Sequence, residues 1–170
     1  MRSARLLVTS RDTGQLGKFD ADGTELERIK LPHYMTPWHA VESPTTHGTI
    51  IVSHHNAELD LHQISEVDTD ASVLRQFSGP LGLSPHVAVD SFGKVFAADY
   101  HHRYILLLDA QLKLRRVIVD EDQLNRQRPR RLCYREQTGQ LLVAFYQQKN
   151  VAVFDSGLGN AGKSVGTKKN

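Results

Sequence analysis

An all-β fold made of repeated four-stranded units is what this 170-residue sequence predicts. Three stretches are copies of one another, and they open at Pro37, Pro85 and Pro129, which lie 48 and 44 residues apart. In each copy a glycine-marked turn follows, then an apolar run, and then a second apolar run that ends on aspartate. Repeats of this length, each with about four short strands, are typical of β-propeller blades.

The same pattern gives the number and order of the blades. An incomplete copy precedes the other three, with strand segments at Leu6–Val8 and Gln15–Asp20. The predicted blades cover residues 1–32, 33–82, 83–124 and 125–156, with about fourteen strands in all. The first copy lacks its innermost strand and the last lacks a clear outermost one. We therefore expect an incomplete arc of about three and a half blades, whose open faces favour self-association.

Each strand of a blade has its own pattern, clearest in the third copy. The innermost strand, His86–Val89, carries small residues because blades converge on an axis. Val95–Ala98 and Tyr104–Leu108 are apolar almost throughout, as expected where neighbouring sheets cover both faces. The fourth strand, Leu112–Ile118, alternates apolar and charged residues and suits an outer edge. Asp20–Gly23 is typical of a tight hairpin turn.

The third copy, PHVAVDSFGKVFAADYHHRYILLLD from Pro85 to Asp109, resembles an NHL repeat. The residues that match the repeat pattern are Asp90, Gly93, Ala98, Asp99, Arg103 and Asp109. The other copies depart from it, with Glu42 or Tyr134 in the place of Asp90. The resemblance covers residues 1–156 and implies an NHL-type propeller, as in the C-terminal domain of tripartite-motif (TRIM-NHL) proteins. In that family the propeller is the substrate-recognition part of a ubiquitin ligase, and some members bind RNA stem-loops and others proteins.

Composition restricts the remaining classes. The net charge of +2 is too small to indicate nucleic acid by itself, and 39% hydrophobic with 24% charged residues fits an ordinary globular domain. No apolar run approaches the roughly 18 residues that span a bilayer, so we expect no membrane partner. The start of the chain has no signal-peptide pattern, and the single cysteine, Cys133, fits a reducing compartment. These features predict a cytoplasmic protein.

Residues 157–170 differ from the rest in being rich in glycine, serine and lysine, and we interpret them as a flexible tail. The letters from Gly157 to Ser164, GLGNAGKS, match a phosphate-binding loop. That loop requires a supporting helix after it, and only six residues follow. We therefore interpret the match as a coincidence.

Nine histidines raise the question of a metal site. NHL propellers also resemble peptidyl amidating lyases, which hold zinc with histidines from several blades. When the copies are aligned on their prolines, the counterparts of His86 are Trp38 and Arg130, so the histidine is not repeated. Zinc needs three or four converging ligands. We expect no metal, no other cofactor and no catalytic residue; a metal-dependent lyase or lactonase-like propeller is the alternative. Asp90, Asp99 and Asp109 are interpreted as structural acceptors in turns.

The predicted binding face combines cations with aromatic rings on the loops between second and third strands and at the entries to inner strands. Its residues are Tyr100, His101, His102, Arg103, Arg128, Arg130, Arg131, Tyr146, Lys149, His54 and His55. Arginine binds carboxylate or phosphate with two parallel hydrogen bonds, and aromatic rings stack on bases. The sequence predicts a non-catalytic scaffold that binds a protein or peptide. The alternatives are single-stranded or stem-loop RNA, or a merely solvated rim with local ion pairs.

Overall fold

The computed structural model describes residues 6–83 and 85–156. These residues form fourteen β-strands and no helix. The strands make four antiparallel sheets that follow one another along the chain, and in each sheet consecutive strands are neighbours. The prediction of an all-β chain of short-stranded antiparallel units is confirmed. The predicted flexible tail, with its GLGNAGKS match, lies outside the described residues.

The sheets contain three or four strands each. Sheet 1 contains β1 (Leu6–Ser10), β2 (Gln15–Phe19) and β3 (Glu25–Lys30), and sheet 2 contains β4 (Met35–Glu42), β5 (Ile50–Asn56), β6 (Leu61–Val67) and β7 (Val73–Phe77). Sheet 3 contains β8 (His86–Val89), β9 (Val95–Asp99), β10 (Tyr104–Leu108) and β11 (Leu114–Val119). Sheet 4 contains β12 (Pro129–Arg135), β13 (Gln140–Phe145) and β14 (Val151–Asp155).

Three apolar clusters fill the spaces between successive sheets. Sheets 1 and 2 meet around Leu16 and Val52, and sheets 2 and 3 meet around Ile64 and Val95. Sheets 3 and 4 meet around Phe96 and Leu141. The second strands β5 and β9 are buried on both faces for almost their whole length, whereas β1 and β13 alternate in exposure. Sheets 1 and 4 therefore each keep one face without a covering sheet in the described chain.

A repeated aspartate turn joins neighbouring strands. At Asp20, Asp68, Asp90 and Asp109 the carboxylate accepts hydrogen bonds from the amides two and four residues later, at 2.8–3.0 Å. The residue three positions later has positive φ, as at Gly93, where an added Cβ would lie 2.7 Å from Thr45. The structural role predicted for Asp90 and Asp109 is confirmed.

Asp99 has a different structural role, at the end of β9. Its fully buried carboxylate accepts the amides of His101 and His102 at 2.9 and 2.8 Å, the Gly82 amide at 2.6 Å, and a contact from the His102 ring. Gly82 approaches so closely that an added Cβ would lie 2.3 Å from the Cβ of His101. The predicted structural role of Asp99 is confirmed, and it fixes the turn that carries Tyr100.

Replacing Asp99 with alanine is expected to lower the free energy of unfolding by roughly 2–4 kcal/mol, because buried amides lose their acceptor. Asp20→Ala is the matched control: it removes a similar pair of amide contacts at an exposed turn and is expected to cost about 1 kcal/mol. Urea denaturation of both variants at neutral pH measures the difference. Equal losses would contradict the special role of Asp99.

Two β-bulges set the register of the first strands of sheets 2 and 4. In sheet 2, Pro37 pairs with His54 and His39 with Ser53, so that Trp38 is an extra residue. In sheet 4, Pro129 pairs with Phe145 and Arg131 with Ala144, and Arg130 is the extra residue. Sheet 3 has no such irregularity between β8 and β9, and His86 pairs directly with Ala98. An inserted residue shifts the side chains that follow by one position.

No helix long and apolar enough to span a bilayer occurs in the described part of the chain.

Candidate functional site

The first strands of sheets 2, 3 and 4 (β4, β8 and β12) bring one side chain from each sheet into a single row. Ser53, Ala98 and Ala144 occupy the same position on the second strands of sheets 2, 3 and 4, and their cross-strand partners are His39, His86 and Arg131. The prediction that Trp38 and Arg130 are the counterparts of His86 is wrong. The bulges move them out of register, so the equivalent residues are His39 and Arg131.

The two histidines of this row stack and link neighbouring sheets. Their ring centroids are 3.5 Å apart and the ring planes are inclined by 26°. The Val87 amide donates to Nδ1 of His39 at 3.4 Å, and the Leu132 amide donates to Nδ1 of His86 at 3.2 Å. A ring nitrogen that accepts an N–H carries no proton, so each neutral imidazole has its proton on Nε2. Both rings therefore offer an Nε2–H donor.

Burial keeps these imidazoles neutral. It lowers the pKa of His39 to about 4, helped by the Arg131 charge. It lowers the pKa of His86 to about 3, helped by the charges of His39 and Arg131. Both groups are therefore uncharged near neutral pH, and the positive charge of the row belongs to Arg131 alone.

Three arginine–aromatic pairs surround the row. The guanidinium carbon of Arg11 lies 3.6 Å from the ring centroid of Trp38, that of Arg128 lies 5.0 Å from Tyr100, and that of Arg130 lies 5.2 Å from Tyr146. Such cation–π contacts contribute roughly 0.5–2 kcal/mol each. Arg128 also donates to the Tyr100 hydroxyl at 3.2 Å, and the two tyrosines meet edge to face at 5.4 Å.

Most of these side chains line an open pocket of about 290 Å³. Its lining residues come from sheets 2, 3 and 4 and the segments beside them: Trp38, His39, Leu83, Pro85, His86, Tyr100, Arg130, Arg131 and Tyr146. The charged members of this set are both arginines, and none of these described lining residues is a carboxylate. The pocket thus combines hydrogen-bond donors and positive charge with aromatic walls, a combination that suits an anionic ligand.

Comparison with known proteins shows a similarity in fold and nothing further. No family model matches the chain, and no curated protein matches it. A crystal structure of a protein of unknown function from Bacteroides caccae is similar, with a TM-score of 0.61 and 14% sequence identity. The similarity covers 91% of this chain and 55% of that one, so the chain spans about half the length of the solved structure it matches.

Five of the residues predicted from sequence come together at the pocket. Tyr100, Tyr146, Arg130 and Arg131 line it, and Arg128 contacts Tyr100. Their convergence follows from the topology, because the segments after β9 and β13 lie at the same edge as the starts of β8 and β12. The sequence thus predicted a group of arginines and tyrosines that the structure brings together at the pocket.

The other predicted residues lie outside the pocket lining, and some of them contact other side chains of the chain. Arg103 pairs with Glu121 at 2.6 Å, and His102 contacts the Asp99 carboxylate and stacks on Tyr104. His101 and Lys149 are exposed in the segments after β9 and β13, and neither is among the pocket-lining residues.

The placement of His54 and His55 in an exposed loop is wrong. Both lie within β5, because that strand pairs with β6 as far as Asn56. His54 is fully buried and contacts the Ser65 hydroxyl at 2.9 Å, and burial lowers its pKa to about 4. His55 contacts Asp60 at 3.0 Å.

Five pocket-lining residues were not predicted from the sequence, and those with polar side-chain atoms are Trp38, His39 and His86. A signal for them exists in the spacing after each proline. The motif reads Pro-x-His in sheet 2, Pro-His in sheet 3 and Pro-x-Arg in sheet 4, so one extra residue marks each bulge. Among the described residues no group of three or more histidine, cysteine, aspartate or glutamate side chains is arranged to hold a metal ion.

Proposed function

We propose that the four sheets are consecutive blades of an incomplete NHL-type propeller arc. The sequential strand order within each sheet, the apolar clusters between successive sheets and the repeated aspartate turns support this arrangement. In this proposal β4, β8 and β12 are innermost strands, and β8 contacts both of the others. The uncovered faces of sheets 1 and 4 then bind further blades or a second copy.

We propose that the chain is a non-catalytic scaffold that binds an acidic peptide segment of a partner protein. The observation that carries this proposal is the cationic pocket, in which two arginines and two Nε2–H groups lie among aromatic rings and none of the described lining residues is a carboxylate. Ligands with carboxylates complement this surface in charge and in hydrogen bonding. In a TRIM-type ligase such a scaffold would recognise the substrate.

The contacts of the two pocket tyrosines with arginine favour a peptide ligand over RNA. Tyr100 and Tyr146 each have an arginine over the ring and contact one another edge to face. Recognition of single strands relies on ring faces that are free to stack on successive bases. Here the rings hold the guanidinium groups in place, which suits the binding of carboxylates.

The test uses a charge-reduced variant in which Arg128, Arg130 and Arg131 are all alanine. A matched control carries Lys30→Ala, Lys113→Ala and Arg116→Ala, which removes the same charge at exposed sites away from the pocket. Fluorescence titration with labelled acidic peptides is expected to show a loss of at least tenfold in affinity for the first variant. The control is expected to remain within about twofold of the parent, since distant surface charges are screened.

Parallel titrations with a labelled single-stranded RNA pool at two salt concentrations decide between ligand classes. If RNA binds more tightly than the peptides and with a steep salt dependence, the peptide proposal is wrong. If both triple variants bind the peptides as the parent does, the arginines form only a solvated rim and the binding function fails.

A further inference from the structure

We infer that the row formed by His39, His86 and Arg131 binds the C-terminal carboxylate of a peptide that ends in a bulky apolar residue. This inference rests on the proposed peptide-binding function and names the part of the ligand that enters the pocket. Three observations support it: the backbone amides that donate to the two histidine rings, the lack of a carboxylate partner for Arg131 among the described residues, and the apolar walls of the pocket.

The hydrogen-bonding pattern of the imidazoles gives the polarity of the site. Each Nδ1 is already occupied by a backbone amide from the next sheet, Val87 for His39 and Leu132 for His86. The remaining polar atom of each ring is the Nε2–H group, which is a donor when the ring is neutral. No described residue accepts a hydrogen bond from either Nε2. An acceptor supplied by a ligand satisfies both.

Arg131 differs from the four arginines of the described chain that are paired with carboxylates. Arg28, Arg75, Arg103 and Arg115 each form an ion pair with a carboxylate of the chain, at 2.5–2.9 Å. Arg131 has no such partner among the described residues, although it lines the pocket with the histidines. Its planar guanidinium matches a carboxylate in geometry, with two parallel hydrogen bonds.

A further buried donor lies in the same lining. The indole Nε1 of Trp38 is buried without a hydrogen-bond partner among the described residues. Buried polar groups are nearly always paired, and an unpaired one is costly. This unpaired N–H adds one more donor to the residues around the pocket.

The walls indicate what carries the carboxylate. Trp38, Leu83, Pro85, Tyr100 and Tyr146 surround the donors with apolar and aromatic surface. Asp or Glu side chains would bring only one or two methylene groups to these walls. At a peptide C-terminus the carboxylate and a side chain leave the same Cα, so a bulky apolar residue fills both parts of a pocket of about 290 Å³.

The experiment compares one acidic peptide ending in phenylalanine as the free acid and as the C-terminal amide, with the full chain in both cases. The free acid is expected to bind roughly tenfold or more tightly than the amide, since hydrogen bonds to a charged group are lost on amidation. Arg131→Met keeps the aliphatic part of the side chain and is expected to abolish this preference. Arg116→Met, on exposed β11, is the matched control and should retain it.

Nitrogen NMR of the imidazoles provides a readout independent of affinity. The parent should show His39 and His86 as Nε2–H tautomers, and the free acid should shift their Nε2 signals while leaving the exposed His33 unchanged. Equal affinity for acid and amide, or Nδ1–H tautomers, would overturn the inference. If both peptides still bind equally and depend on Arg128 and Arg130, the peptide-binding function stands and only the terminal carboxylate is wrong.

Discussion

Lowering the pH from 7 to 4.5 is expected to destabilise the folded chain by several kcal/mol, with buried histidines responsible for much of the loss. Burial lowers the pKa of His39 and His54 to about 4 and that of His86 to about 3. In the unfolded chain these imidazoles titrate near 6.5. Between the two values the unfolded state binds more protons, so the free energy of unfolding falls as pH falls below about 6.5.

His54 provides the cleanest test, because it is fully buried in β5 and lies outside the pocket lining. By linkage, its neutral form accounts for roughly 2–3 kcal/mol of stability at pH 7 that is lost by pH 4.5. In a His54→Gln variant, the decline of the unfolding free energy over this range should shrink by about that amount. Urea denaturation at pH 7, 6, 5 and 4.5 measures the decline.

His33→Gln is the matched control, because the His33 side chain is 88% exposed. It is expected to follow the parent at every pH, while titrating carboxylates such as Asp109 affect parent and both variants alike. Parallel curves for the parent and His54→Gln would show that His54 is not held neutral in the fold.

The strands and turns were predictable because local pattern determines them. Apolar runs such as Val95–Ala98 predict a strand that is covered on both faces, and that strand is buried throughout. The turns at Asp90 and Asp109 are predictable because the aspartate carboxylates themselves accept hydrogen bonds from the backbone amides that follow. Local chemistry of this kind is written in a few consecutive residues.

The misplaced histidines show what local pattern does not contain. The end of β5 depends on its pairing with β6, and His54 remains in the strand because Ser65 is there to contact its ring. The equivalence of His39 with His86 depends on a bulge at Trp38, which becomes visible only once cross-strand partners are known. Register is set by two paired strands together. Alignment of the copies on their prolines alone therefore matched His86 with residues one position too early in sheets 2 and 4.

The binding residues divide in the same way. Tyr100 and Tyr146 follow strands β9 and β13 directly, and their proximity follows from repetition of the unit. Arg103 belongs to the same motif, yet its partner Glu121 lies eighteen residues later along the chain. An ion pair over that separation is decided by how the chain returns after β11, which the spacing of the motif does not reveal.

The junction between sheets 3 and 4 is expected to depend on Phe96. Its ring is fully buried and stacks on Tyr134 of sheet 4, with ring centroids 4.8 Å apart. Replacement by alanine removes that contact and leaves a cavity in the cluster that joins the two sheets, at an expected cost of about 3–5 kcal/mol, the usual range for a buried phenylalanine. Only a few such losses separate a domain of this size from unfolding.

Phe92→Ala is the control, since Phe92 is 73% exposed in the turn after β8 and should change the free energy of unfolding by less than about 0.5 kcal/mol. Urea denaturation measures the free energy of unfolding of both variants. Similar midpoints would mean that sheets 3 and 4 do not meet at Phe96. If Phe96→Ala is destabilised as expected, peptide binding should weaken with it even under folding conditions, because Arg130 and Arg131 reach the pocket from sheet 4 and His86 from sheet 3.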